Sequence, residues 1–452
     1  MGNALRAALA VGLLAATHQP GGAQTLEEAL VSAYLTNPEL EAQRAALRAT
    51  DELVPEALSD WRPNVRVDGS AVAADIDSPN AKGQLSTLTG SLVVDQDIYR
   101  GGETVANTSR AEALVRLERA RLQAIEQDVL LDAVVAYTDL LTALAVLELA
   151  IQNENRLERQ LQATRDRFEV GEVTRTDVAQ AQARLAGAVS DRTEAEGAIR
   201  SAEATFRAVI NEEPVRLTAP APLTDLPPRE EEAQELAQSF NPNIAAAQFD
   251  LQAAEWGIDV AESALLPRLS VRGELTYTEE PSFALDRQRV ASVGANLTVP
   301  LYQGGGEYAR VRQSKHTFRQ RREDLETAYR LVREEVTDAW QTMMTATATI
   351  ESISEQVRAA EIALEGARQE ALVGQRTVLD VLDQEQDLFT AEVDLVRAQR
   401  AQIIASYRVK AAIGQLTAEG VGLPVEPYDP SAHYERVRDR WFGLGPDIED
   451  DQ

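Results

Sequence analysis

Residues 170–177 read VGEVTRTD, and residues 373–380 read VGQRTVLD. The two phrases belong to a duplication that spans the chain. Asn37-Pro38 returns as Asn241-Pro242 and Pro63 as Pro267, both 204 positions later. Tyr99 with Gly101-Gly102 returns as Tyr302 with Gly304-Gly305, and Gly171, Asp177 and Ile210 return as Gly374, Asp380 and Ile413, all 203 positions later. A near-constant offset over half a chain means one structural unit written twice, so a fold assigned to one half must also hold for the other. The one-residue change of offset falls between Pro63 and Tyr99, where a loop absorbs it.

Each unit reads in the same order. A helical segment (26–58 or 230–265) precedes two strand-like segments, a long helix (103–169 or 307–373), the VG phrase, and a further helix (172–211 or 375–414). The first repeat covers 24–211 and the second 230–416. Between them the linker 212–229 carries Pro214, Pro220, Pro222, Pro227 and Pro228, which exclude regular helix. A tail, 417–452, follows.

The strand-like segments, at about 64–73, 87–96, 268–277 and 290–301, alternate in polarity. In LSVRGELTY, Leu269, Val271, Leu275 and Tyr277 share one face, and Ser270, Arg272, Glu274 and Thr276 share the other. Segments of about 10 residues suit a tilted membrane strand, although an ordinary sheet with one wet face reads alike. Membrane barrels start at about eight strands. Four per chain are too few, so a membrane barrel would need several chains.

The helices set a second length scale. At about 1.5 Å per residue the long segments run ~100 Å, and the shorter ones ~50–60 Å, so two of the latter end to end match one long helix. Val178, Leu185, Ile199 and Phe206 fall on one seven-residue series, and Val381, Leu388, Leu395 and Val409 on its counterpart. That period predicts helices packed side by side along narrow seams.

Composition narrows the function. The chain has no cysteine, which removes disulfides, thiolate metal sites and catalytic thiols. A formal charge of −29 opposes nucleic acid as a partner. At the N-terminus Arg6 precedes an apolar run from Ala7 to Ala16 and a small-residue site at Gly21-Gly22-Ala23, the pattern of a secretory signal peptide, 1–23, cleaved after Ala23. No cysteine follows to carry a lipid, and no later segment reads as a transmembrane helix. His18, His316 and His433 are scattered, so no metal site is expected. GGGE at Gly304–Glu307 lacks the Lys-Ser/Thr of a phosphate loop. Neither a GxSxG nor an HExxH motif is present, no catalytic residue or cofactor is expected, and the chain reads as a non-enzyme.

The repeated phrase has a physical reading. Gly171 and Gly374 suit the left-handed conformation that ends a helix. Thr174 and Thr377 suit caps for the next helix, with an aspartate in its first turn. VGxxTxxD is therefore the turn of a helical hairpin.

With these features in place the chain resembles the TolC family of outer-membrane efflux proteins over essentially its whole mature length. The resemblance rests on the tandem repeat, the strand-to-helix phrases IYRGGE and LYQGGGE, both VGxxT tips, and the stretch RTVLDVLDQEQDLFTAEVDL. The tail phrase YDPSAHYERVRDRWFG is also similar to tails of some members. The resemblance implies a mainly α chain with a small transmembrane β part. It would be the protomer of a homotrimer whose 12-stranded β-barrel lies in the outer membrane of a Gram-negative bacterium and continues as a long α-helical barrel across the periplasm. It implies an exit duct carrying drugs, small molecules or, as in type I secretion, proteins. The duct would receive them from an inner-membrane pump through a periplasmic adaptor.

By the same resemblance the adaptor-contact tips are Val170, Gly171, Glu172, Val173 and Thr174 with Val373, Gly374, Gln375, Arg376 and Thr377. The gate comprises Arg376, its neighbour-chain partners Thr176 and Asp177, and Asp380 and Asp383 facing the narrowed pore. The family's gating tyrosine is replaced by Ala371. A periplasmic coiled-coil structural or adaptor protein is the competing reading. It accounts for the heptads but not for the tandem strand–helix repeat. The sequence names neither the pump class nor the cargo.

Overall fold

The computed structural model describes residues 23–79 and 81–445. The expected signal peptide therefore lies outside the described residues, apart from Ala23. Among them the first repeat contains helices α1 (Leu26–Thr36), α2 (Pro38–Asp51) and α3 (Leu53–Ser59), strands β1 (Asn64–Ser78) and β2 (Ala81–Arg100), and helices α4 (Glu103–Glu169) and α5 (Arg175–Ile210). The second contains α6 (Glu230–Phe240), α7 (Pro242–Ser263), β3 (Arg268–Ser282), β4 (Leu285–Thr298), α8 (Gly306–Leu372) and α9 (Val378–Ala412). Two short tail helices follow, α10 (Ala418–Val421) and α11 (Ala432–Val437). Helices α4 and α8 are each 67 residues long, about 100 Å at the standard rise.

The helical segments expected over 26–58 and 230–265 are not continuous. Both break at the repeated Asn-Pro. Proline drives the preceding residue out of the helical region, and Asn37 (ψ 124°) and Asn241 (ψ 122°) are extended. Proline itself is tolerated at the first helical position, where an N–H would have no partner. Each asparagine then does two jobs. Its Oδ1 accepts from the N–H two residues on, at 2.9 Å in both copies. Its Nδ2 donates to the end of the other short helix, Asn37 to the Val209 carbonyl (3.2 Å) and Asn241 to the Ala412 carbonyl (3.0 Å). These bonds join α2 to the end of α5, and α7 to the end of α9, which is how paired short helices match one long helix. The second joint is tight, because a Cβ on Gly414 would lie 2.3 Å from the Phe240 carbonyl oxygen. Asn241→Ala removes a cap and strands a buried carbonyl. It is expected to cost about 1–2 kcal/mol, read as a lowered denaturation midpoint, and an unchanged midpoint refutes this role.

The strands form one antiparallel sheet in the order β1-β2-β3-β4. They run 15, 20, 15 and 14 residues, longer than the ten or so expected. Register carries the alternation across the sheet. Val65 pairs with Val94, Val67 with Leu92, Leu92 with Leu275, Gly273 with Val293, and Leu269 with Leu297. Since pairing residues share a face, this face is apolar over the half of the sheet nearer the helices and turns polar toward the hairpin ends, where Asp77 pairs with Lys82 and Glu279 with Arg287. The opposite face carries Arg66, Asp95 and Arg272, with Asp95 accepting from both arginines.

The largest core surrounds the middle of α4. Val129, Leu130, Ala133, Val134 and Tyr137 pack there against Leu26, Leu30 and Tyr34 of α1. The Tyr137 hydroxyl lies 2.8 Å from the Gln24 carbonyl and 2.7 Å from that of Thr218, tying the N-terminal segment and the linker to α4. One expectation is corrected here. α4 does contain an 18-residue window apolar enough to cross a membrane, with mean hydropathy 1.9. α4 contacts α1, α2, α5, α7 and α9, but only 33% of that window is buried, so much of its apolar surface is left uncovered by this chain.

Candidate functional site: the helical tips

Both long helices end in the same way. Glu172 N–H donates to the Arg167 carbonyl (2.9 Å) and Gly171 N–H to that of Phe168 (3.0 Å). In the second copy Gln375 N–H donates to Glu370 (2.9 Å) and Gly374 N–H to Ala371 (3.3 Å). This is the Schellman pattern, which needs a left-handed residue. Gly171 (φ 85°) and Gly374 (φ 75°) supply it. Three residues later Thr174 and Thr377 start α5 and α9 as N-caps, each in a full capping box with Asp177 or Asp380. Val170, Leu372 and Val373 are left exposed at the ends.

The carboxylates expected at the gate have partners within the chain. Asp177 and Asp380 each accept from the N–H and hydroxyl of their capping threonine. Those donors hold the Asp380 carboxyl below its ordinary range. Arg376 Nε donates to Glu370 at 2.6 Å, on the surface of its own hairpin. Asp383 accepts from Arg184 of α5 at 2.6 Å, a bond between the two hairpins. Thr176 is exposed. Ala371 is buried among Leu364, Ala367, Val381 and Leu388, so it seats in the α8–α9 seam. A tyrosine in the same orientation would overpack that seam.

Sequence reasoning missed the strongest polar feature near the tips. Glu385 of α9 is only 2% exposed. It pairs with Arg368 of α8, while Arg156 of α4 lies 3.4 Å from its second oxygen and 3.2 Å from Glu392. A buried carboxylate persists only where cations compensate it. The signal was present: Glu385 sits seven residues after Val378 and three before Leu388, a seam position in an apolar series. Beside it Leu157 and Leu161 of α4, Ala181 and Ala188 of α5, and Val378 and Leu382 of α9 make one cluster that joins both hairpins. The buried seam of α5 is the alanine series Ala181, Ala188 and Ala195, whereas Val178, Leu185 and Ile199 of the expected series are half-buried.

The architecture is therefore a small sheet, two repeats of ~100 Å helices, and two capped tips at one end. The sequence model described as outer membrane efflux protein matches residues 29–212 and 234–415, one copy per repeat. The chain belongs to that family. Outer membrane efflux protein BepC of Brucella suis is 34% identical over 429 residues, covering 95% of this chain and 93% of that protein. Outer membrane protein TolC of Vibrio cholerae is 27% identical over 412 residues, covering 88% and 92%. The Campylobacter jejuni CmeC outer membrane channel shares the fold, with a TM-score of 0.80 at 16% identity over 92% of this chain and 89% of that one. The family's members are channels, and this efflux protein is an exit duct of the outer membrane serving efflux or secretion. The reading as a periplasmic adaptor or structural coiled coil is set aside.

Proposed function

We propose that this duct works as a homotrimer gated at its helical tips, where a periplasmic adaptor links it to an inner-membrane pump. The observation that carries the reading is the open sheet. β1 and β4 are its edges, and a bilayer tolerates no unpaired strand edge. Three copies joined edge to edge supply a closed 12-stranded barrel, within the range for membrane barrels. The paired helices then continue the wall, with six hairpin tips at the far end.

At that end Val170, Gly171, Glu172, Val173 and Thr174, with Val373, Gly374, Gln375, Arg376 and Thr377, form the adaptor-contact ring. Capped, rigid turns with exposed valines suit docking against another set of helical tips. Thr176, Asp177, Arg376, Asp380 and Asp383 form the gate. Arg376 exchanges Glu370 for Thr176 and Asp177 of a neighbouring copy in the closed ring. Each such half-exposed link contributes ~0–1 kcal/mol, weak enough for adaptor binding to offset. Arg376→Ser combined with Asp177→Ala is expected to raise resting conductance several-fold in planar bilayers. Unchanged conductance would sink the gate assignment.

The partner assignment is tested by in-cell photocrosslinking from Glu172 and Gln375. Capture of an adaptor at these positions, and not from Asn243 on α7, is the expected result. Capture of nothing from either tip in a well-expressed protein refutes the docking ring.

A further inference from the structure

The tail does not hang free after α9. Tyr428 N–H donates to the Tyr34 hydroxyl at 2.9 Å, and the Arg44 guanidinium lies between the two tyrosine rings, 4.9 Å and 5.0 Å from their centroids. His433 Nδ1 is 3.0 Å from the buried Asp51 carboxylate. Tyr434 packs on Val54, Ala111 and Val115. Arg62 then donates to the Arg440 carbonyl at 2.7 Å and lies 4.7 Å from the Trp441 ring centroid. The strap thus follows α2 and α3 to the point where the chain enters β1 at Asn64.

Burial ends there abruptly. Trp441 is 59% exposed, Phe442 88%, and Leu444 fully exposed, beside Trp61 at 52%. Only Pro63 separates Arg62 from Asn64, about 7 Å of extended chain. The cluster therefore stands at the rim of the sheet, continuous with the apolar face that opens at Val65 and Val94. Tyr99 and Tyr302, at the same end of β2 and just beyond β4, are also exposed. Indole and phenyl rings with flanking arginines match the boundary between acyl chains and headgroups. Nothing in that chemistry suits bulk water.

We propose that residues 441–444 are a membrane anchor seated in the periplasm-facing leaflet of the outer membrane. Trp441, Phe442 and Leu444 enter the acyl boundary, while Arg62 lies at the headgroup level and Arg440 Nε donates to the Phe442 carbonyl at 3.1 Å, holding the segment's turn. The strap thereby couples the helical shaft to the bilayer outside the barrel wall. This rests on the barrel reading above, and the test separates the two.

The chain has no cysteine, so Leu444→Cys and Leu275→Cys each provide a unique site for a nitroxide label on the full-length protein in phospholipid vesicles. Leu275 reports the barrel face. Both labels are expected to collide several-fold more with oxygen than with an aqueous nickel chelate, relative to a label in water. A lipid-exposed Leu275 site with a water-exposed Leu444 site overturns the anchor and spares the barrel. A Leu444 site reached by neither reagent also overturns it, because protein then covers the patch. A water-exposed Leu275 site overturns the barrel reading, and the anchor falls with it.

Discussion

Glu385→Ala is expected to loosen the tip half of the α8–α9 hairpin by about 3 kcal/mol, near the lower end of the cost of breaking a buried ion pair. The lower end applies for two reasons. Arg156 keeps Glu392 at 3.2 Å, and the Arg368 side chain is 41% exposed and so reaches water. What remains is a cavity beside Arg368, which α9 no longer neutralises, and beside Arg156, which keeps only Glu392. Local opening free energy is read by amide hydrogen exchange, and 3 kcal/mol corresponds to exchange roughly a hundredfold faster between Val381 and Leu388. Unchanged exchange there would show that the apolar seam of Ala371, Val381 and Leu388 holds the hairpin alone. A quadruple variant with leucine at Arg156, Arg368, Glu385 and Glu392 supplies the counter-test, because Glu392 shares Arg156. Replacing a whole buried ion cluster by apolar side chains is commonly neutral or stabilising. Protection should therefore return in the quadruple variant, which attributes the single-variant defect to stranded charge.

The reach of sequence reasoning follows from the range of each interaction. α4 was legible at its full bounds, Glu103 to Glu169, because a glycine pair opens it, a VG turn closes it, and both signals are local. The capping boxes at Thr174 and Thr377 were legible for the same reason, since cap and partner are three residues apart. The alternation of β3 was visible, but its extension to Ser282 was not, because a polar run such as Thr278, Glu279 and Glu280 reads as loop. The Asn-Pro repeat was seen as a marker of duplication and not as a helix break, although proline geometry alone predicts one. The partners of the charged residues were beyond reach. Arg184 and Asp383 are 199 residues apart, and no local pattern places them 2.6 Å apart.

That last bond bears on the proposed gate. In the proposed trimer, three copies of Asp380 and Asp383 would give six carboxylates around one pore, and such rings favour cations. Asp380 stays charged, since its capping bonds hold its carboxyl below the ordinary range. Asp383, however, is matched by Arg184, so the ring carries half the charge its aspartates suggest. Arg184→Gln is therefore expected to strengthen block by a trivalent cation roughly tenfold at about 0.1 M salt. At about 8 Å and bulk dielectric each charge pair is worth about 0.5 kcal/mol, and three freed carboxylates acting on a trivalent ion exceed that tenfold even after screening. The advantage should vanish near 1 M salt, where the Debye length is about 3 Å. Resting conductance should stay near that of the parent, because this bridge joins two hairpins of one chain and does not link neighbouring copies. Planar-bilayer titration with a hexaammine cobalt ion measures both quantities at once. Unchanged block would place Asp383 away from the ion path, whereas enlarged conductance with unchanged block would make Arg184 a tie between hairpins and not a determinant of selectivity.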